Sequence, residues 1–176
     1  MATTKWALDP THSELQFKVK HLMITTVTGS LKTFSATLAS TEGDFTDAEI
    51  SFDGDISSID TGNTDRDNHL KSGDFFDATK FPTMSFKSSS VEKDGDDLTI
   101  KGDLTIKNVT KAVKLIAEFG GIATDPYGNT KAGFTLSGKI NRTDFGLTWN
   151  ATLETGGVMV SEEVRILGEL QFVKQA

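Results

Sequence analysis

Residues 98–107 read LTIKGDLTIK, from Leu98 to Lys107. Leu98, Ile100, Gly102, Leu104 and Ile106 fall on one parity, and Thr99, Lys101, Asp103, Thr105 and Lys107 on the other. A period of two held over this length sets an apolar face against a polar one, as in a strand with one side buried. Asn108 then supplies a turn residue, and Val113, Leu115, Ala117 and Phe119 return with the same period.

The pattern extends in both directions. Upstream, Leu15, Phe17, Val19 and His21 share one face of a strand over 12–22. His21 is therefore expected to point inward, either as a core histidine with one hydrogen bond or as a polar handle in a cavity. In 27–39 the phase slips by one near Thr33, which predicts a bulge that bends the strand. Residues 41–47 read as a turn and 48–56 as another strand, carrying Ile50, Phe52 and Gly54. Met84 and Phe86 begin a strand that ends at Lys93-Asp94-Gly95. Downstream, 120–130 reads as a loop, 132–140 as a strand through Phe134 and Leu136, and 164–172 as the last strand, through Ile166.

Eight such strands with short turns predict an all-β chain, folded as a sandwich or a closed up-and-down barrel. Glycines in the apolar phase, at 54, 102, 138 and 168, favour the tighter coiling of an antiparallel eight-stranded barrel. Such a barrel has an interior wide enough for side chains or for one ligand. The inward set Phe17, Val19, Phe52, Phe86, Ile100, Leu104, Leu115, Phe134, Leu136 and Ile166 suits either a filled core or an apolar tunnel. In-phase Gly and Ala residues are expected to leave room for the tunnel.

One stretch breaks the period. Residues 57–82, SSIDTGNTDRDNHLKSGDFFDATKFP, crowd Arg66, Asp67, His69, Lys71 and Asp74 beside Phe75 and Phe76. Thr64 as cap, Asp67 three residues on and Gly73 as a left-handed stop predict one short inserted helix over 64–72. Asp67 and Lys71 are spaced as an ion pair, and Leu70 faces whatever the helix covers. The aromatic pair follows as an anchor for a plug.

Arg66-Asp67-x-His69-Leu70, Asp74-Phe75-Phe76-Asp77 and Phe81-Pro82 resemble the signature block of the YceI-like family, the polyisoprenoid-binding, lipocalin-like proteins. Trp6 with Asp9-Pro10 and His12-Ser13, Ser57-x-Ile59-Asp60-Thr61, Gly102-Asp103-Leu104-Thr105-Ile106, Asn141-Arg142-x-Asp144-Phe145-Gly146 and Val160-Ser161-x-Glu163-Val164 follow that pattern in order. The resemblance covers nearly the whole chain. It implies a lipocalin-like barrel with a long tunnel for an isoprenoid tail. The ligand is expected to be a polyisoprenoid or another long-chain amphiphilic lipid, with a quinone, an isoprenoid phosphate and a fatty amide all open as its kind.

A phosphate head would need cations at the mouth, and Arg66, His69, Lys71 and Arg142 are the candidates. Arg66 has a competing reading, in which it pairs with Asp67, Asp74 or Asp144 and pins the plug. Catalysis is not expected: His12, His21 and His69 lie in separate contexts, without a nucleophile elbow or metal-ligand spacing. No cofactor is expected beyond a bound lipid. The competing readings are a filled, non-catalytic barrel that meets a protein partner, and a hydrolase.

The 176 residues suffice for a single domain over 1–176, with no run of 18 apolar residues. The absence of cysteine removes disulfides and thiolate sites. A net charge of −7 argues against a nucleic-acid groove and weakens stable docking on anionic lipid. A homodimer stays open. The start MATTKWALDP has no basic, apolar leader, so the expected location is cytoplasmic, or periplasmic if a signal peptide has been removed.

Overall fold

The computed structural model describes residues 3–41, 45–150 and 159–175. The strands are β1 (Thr4–Leu8), β2 (Glu14–His21), β3 (Thr25–Leu31), β4 (Phe34–Ser40), β5 (Glu49–Asp55) and β6 (Ile59–Asp60). After the helix α1 (Thr64–Lys71) come β7 (Thr83–Asp94), β8 (Asp97–Ile106), β9 (Val109–Thr124), β10 (Thr130–Asn141) and β11 (Val160–Lys174). All pairings are antiparallel, and the order β1-β4-β5-β7-β8-β9-β10-β11 closes through a β1–β11 pairing. Closure removes the exposed edges that an open sheet would have to protect.

The eleven segments make eight staves, because three staves are broken in the middle. β1 and β2 both lie against β11 and are separated by a 3-10 turn over Pro10–His12. β3 continues into β4 across Lys32 and Thr33, where the sequence predicts a bulge. Ser58 bridges this break: Lys32 N–H donates to its carbonyl at 3.2 Å and Thr33 N–H to its Oγ at 2.9 Å. β5 continues through a 3-10 turn, Ile56–Ser58, into β6, which pairs with β3.

Hairpin chemistry follows the sequence closely at β8–β9. Ile106 faces Val109, and Lys107 and Asn108 both take positive φ, 53° and 62°, as a type I′ turn requires. The stretch expected as a loop over 120–130 is shorter. β9 runs to Thr124, and Gly121 (φ 113°) pairs with Gly133 next to a register shift, so Gly120 and Gly121 absorb a bulge within the strand.

Three of the four in-phase glycines, Gly54, Gly102 and Gly138, are sites of close approach and do not leave the space expected, whereas at Gly168 a Cβ would stand in ordinary contact at 3.4 Å. A Cβ on Gly102 would meet the Phe86 ring at 2.6 Å, and one on Gly138 would meet Leu115 at 2.5 Å. The Phe17 ring likewise lies over Gly29, and Leu31 against Gly54.

One end of the barrel is closed by aromatic rings. Phe45 stands edge-on to Trp6, Phe119 and Phe134, with centroids 5.3–5.7 Å apart, and Phe134 meets Phe172 at 5.9 Å. Such edge-to-face pairs suit the ring quadrupole. Helix α1, the β2–β3 turn and the 3-10 turn Arg142–Phe145 gather at the opposite end.

Candidate functional site

The barrel encloses a cavity of about 240 Å³ whose free surface is wholly apolar. All eight staves contribute to its wall. Phe17, Val19, Phe52, Phe86, Ile100, Leu104, Leu115, Phe134, Leu136 and Ile166 all line it, as the alternation places them. His21 does not: it is the last residue of β2, opposite Thr25 and Val160, beyond the cavity wall. In-phase spacing fails there because β2 ends at the rim, where one face no longer has a lumen behind it.

The plug is built differently from the sequence expectation. Asn63, not Thr64, caps α1, its Oδ1 accepting from Arg66 N–H at 3.0 Å. Ser72 ends the helix in extended conformation, so Gly73 makes no left-handed stop. Asp67 turns away from Lys71 and accepts from the N–H and hydroxyl of Thr61, at 2.8 and 2.5 Å. Arg66 is exposed and donates to the hydroxyl and carbonyl of Thr61, both at 2.7 Å. It reaches neither the lumen nor an acid. These contacts fasten the helix to the segment after β6.

No residue of α1 is fully buried, because its composition has no apolar stripe. The apolar closure comes from Leu70, Phe75 and Phe76, which line the cavity. Phe75 is buried, and the backbone that seats it is a compact turn, with Phe76 N–H donating to Leu70 O at 3.0 Å and Ala78 N–H to Lys71 O at 2.9 Å. His69 presents its ring edge-on to Phe75 and Trp149, at 5.1 and 4.8 Å, and its Nε2 lies 2.9 Å from Asp74 Oδ2. Thus His69 joins the helix to the lid rings. Lys71 lies outside the cavity wall.

Arg142 is the charged residue in the wall and is only 3 % exposed. Its Nε donates to Ser161 O at 2.8 Å, Nη1 to Leu147 O and Trp149 O at 2.7 and 2.8 Å, and Nη2 to Val160 O at 3.2 Å. Four of its five N–H groups are thereby committed to carbonyls. Burial pushes its pKa down, and the nearby Glu162 acts in the opposite sense. The side chain ties the Leu147–Trp149 segment to the start of β11.

Among the described residues no cluster of three His, Cys, Asp or Glu side chains is placed to hold a metal ion. No helix there is long and apolar enough to cross a membrane. A second polar cluster went unread in the sequence: Asp9 accepts from Thr11 at 2.7 Å, His12 at 2.8 Å and Lys131 at 3.0 Å, at the barrel end opposite the plug. The signal available was Asp9-Pro10-x-His12, an Asx-type cap before a turn.

A closed antiparallel barrel with an apolar lumen and one plugged end defines the class. The YceI-like domain model matches residues 6–172, and the chain belongs to that family. A UPF0312 protein of Staphylococcus epidermidis is 41% identical over 170 residues, covering 96% of this chain and 97% of the relative. The crystal structure of a Campylobacter jejuni YCEI protein is 34% identical, with a TM-score of 0.73 over 89% of this chain and 90% of that one. A Saccharophagus degradans structure described as a polyisoprenoid-binding domain implicated in plant cell wall breakdown shares the fold at 16% identity. Its TM-score is 0.69, over 97% of this chain and 98% of that one.

Proposed function

We propose that this protein binds and carries one long amphiphilic lipid, of the isoprenoid class, non-covalently and without chemistry. The observation that carries this reading is the apolar lumen itself: a barrel of this size can fill its interior with side chains, and this one keeps about 240 Å³ empty. The family membership and the polyisoprenoid-binding neighbour support the ligand class. The tail lies among Ile100, Leu104, Leu136 and Ile166, and the head meets Arg142 at the plug end.

The empty volume falls below the roughly 300–1,000 Å³ usual for ligand pockets, so a long tail also needs Phe75 and Phe76 to shift outward. Burial at about 0.8 kcal/mol per CH₂ would exceed the non-covalent ceiling of roughly 20 kcal/mol for a tail on the order of 25 carbons or more. Ordering of the tail and displacement of the plug offset part of it.

Solvent extraction of the purified protein, followed by mass spectrometry, tests the reading. A stoichiometric isoprenoid is expected from the wild type, and loss of that lipid from Ile166→Phe, which fills the lumen while keeping the fold. Phe134→Asp is a poorer probe, since Phe134 also belongs to the aromatic floor. An extract that stays empty after incubation with isoprenoid-containing vesicles overturns the proposal.

A further inference from the structure

The chain is acidic as a whole, yet one flank of the barrel is basic. On three neighbouring strands Lys18, Arg165 and Lys139 stand directly opposite one another, Lys18 facing Arg165 and Arg165 facing Lys139. All three alternate with the cavity-lining residues Val19, Val164 and Ile140, so they project outward. Lys111 and Lys114 of β9 border the same shallow surface concavity, with Asp144 as its acidic member. Like charges directly across an antiparallel pair are destabilising. The acid paired with this group is exposed Glu163, 3.8 Å from Lys139.

Beside this flank, at the plug end, the β2–β3 turn carries two large apolar side chains into solvent. Met23 is 57% exposed and Ile24 77% exposed. Leu22 and Met23 hold positive φ, 54° and 60°, so the turn is tight, and Leu22 N–H donates to Met159 O at 2.8 Å. The tip is therefore fixed in its outward position. Lys18 lies four residues before the turn's first residue, Leu22, about 13 Å along the strand, with Lys20 between.

We infer that this turn and flank form a docking surface for an anionic bilayer: Met23 and Ile24 enter the headgroup region, and Lys18, Lys20, Arg165 and Lys139 meet the lipid charges. Apolar side chains beside a cluster of cations give reversible interfacial binding, and each signal alone is weak. The net charge of −7 belongs to the whole chain, whereas on this flank Lys18, Lys111, Lys114, Lys139 and Arg165 outnumber Asp144 and Glu163. The orientation sets the plugged end of the lumen against the membrane. Docking itself does not depend on what the cavity holds.

Flotation with vesicles of phosphatidylglycerol and phosphatidylcholine, free of isoprenoid, tests docking apart from lipid carriage. The wild type is expected to float with these vesicles at low salt, and to float much less at high salt or with phosphatidylcholine alone. Met23→Asn with Ile24→Ser, substitutions suited to an exposed turn with positive φ, is expected to bind roughly tenfold more weakly at an unchanged melting temperature. Lys18→Gln with Arg165→Gln is expected to lose about fivefold per charge, with a shallower salt dependence. Equal flotation of the turn variant overturns the inference, as does wild-type protein that stays in the load or that self-associates through this turn without vesicles.

Discussion

Arg142 is a buried cation whose partners, among the described residues, are carbonyl oxygens rather than a carboxylate. A planar guanidinium presents five donors in a fixed fork, whereas an ammonium presents three around one point. Arg142→Lys is therefore expected to cost about 3 kcal/mol, since three ammonium donors leave at least one of the four carbonyls unserved and lose the fixed fork that reaches both segments. Urea unfolding midpoints measure this. Stability within about 0.5 kcal/mol of wild type, with weakened lipid retention, would assign Arg142 to the head group alone. The sequence marked this residue as a cation after a strand but could not show its partners, which lie up to 19 residues away across a chain reversal. Arg66 shows the converse. It was legible as a helix-start cation, and its local partner, Thr61, stood five residues upstream in plain view.

Elements made by local alternation were legible, and of the three breaks within staves only the one at Lys32 and Thr33 left a mark in the phase. Period two located all eight staves and placed ten of the eleven lining candidates on the cavity wall. It missed β1, because Thr4–Leu8 is too short to show a period and its pairing with β4 and β11 is settled elsewhere in the chain. It also misjudged the glycines, since absence of a side chain signals equally a void and a neighbour's ring. Gly102 decides between these. Gly102→Ala would drive Cβ into the Phe86 ring and Ser88 Cα, the latter at 2.8 Å, and is expected to destabilise by roughly 1–3 kcal/mol. At about 2–4 °C per kcal/mol for a chain of this size, the melting temperature drops by several degrees. Gly133→Ala, where no atom lies within 4 Å of the added Cβ, serves as the matched control and should be near neutral. Equal melting of the two variants would contradict the close-packed reading of the in-phase glycines.

The ring closes where the broken first stave meets β11, along β2 and along β1. In the β1 part of this seam Trp6, Ala7 and Leu8 stand opposite Lys174, Val173 and Phe172. Asp9 follows that seam immediately, and its carboxylate reaches past β11 to Lys131 on β10, which also lies 3.6 Å from Asp125. Donation from the Thr11 hydroxyl, then from His12 and Lys131, holds the Asp9 carboxyl well below the usual carboxylate range. A lowered folded-state pKa means that the unfolded chain binds the proton more readily, so stability falls as pH falls. The contribution is full above the unfolded value of about 4 and is lost progressively below it. Asp9→Asn is expected to be less stable than wild type by about 1 kcal/mol at pH 7, a modest figure because solvent reaches the pair. The difference should narrow between pH 4 and pH 2 as the wild-type carboxylate protonates. Thermal melts of both proteins across that range measure it. A gap that stays constant with pH would mean that Asp9 acts through its geometry as a turn cap, and that the charge on the seam contributes nothing to closing the barrel.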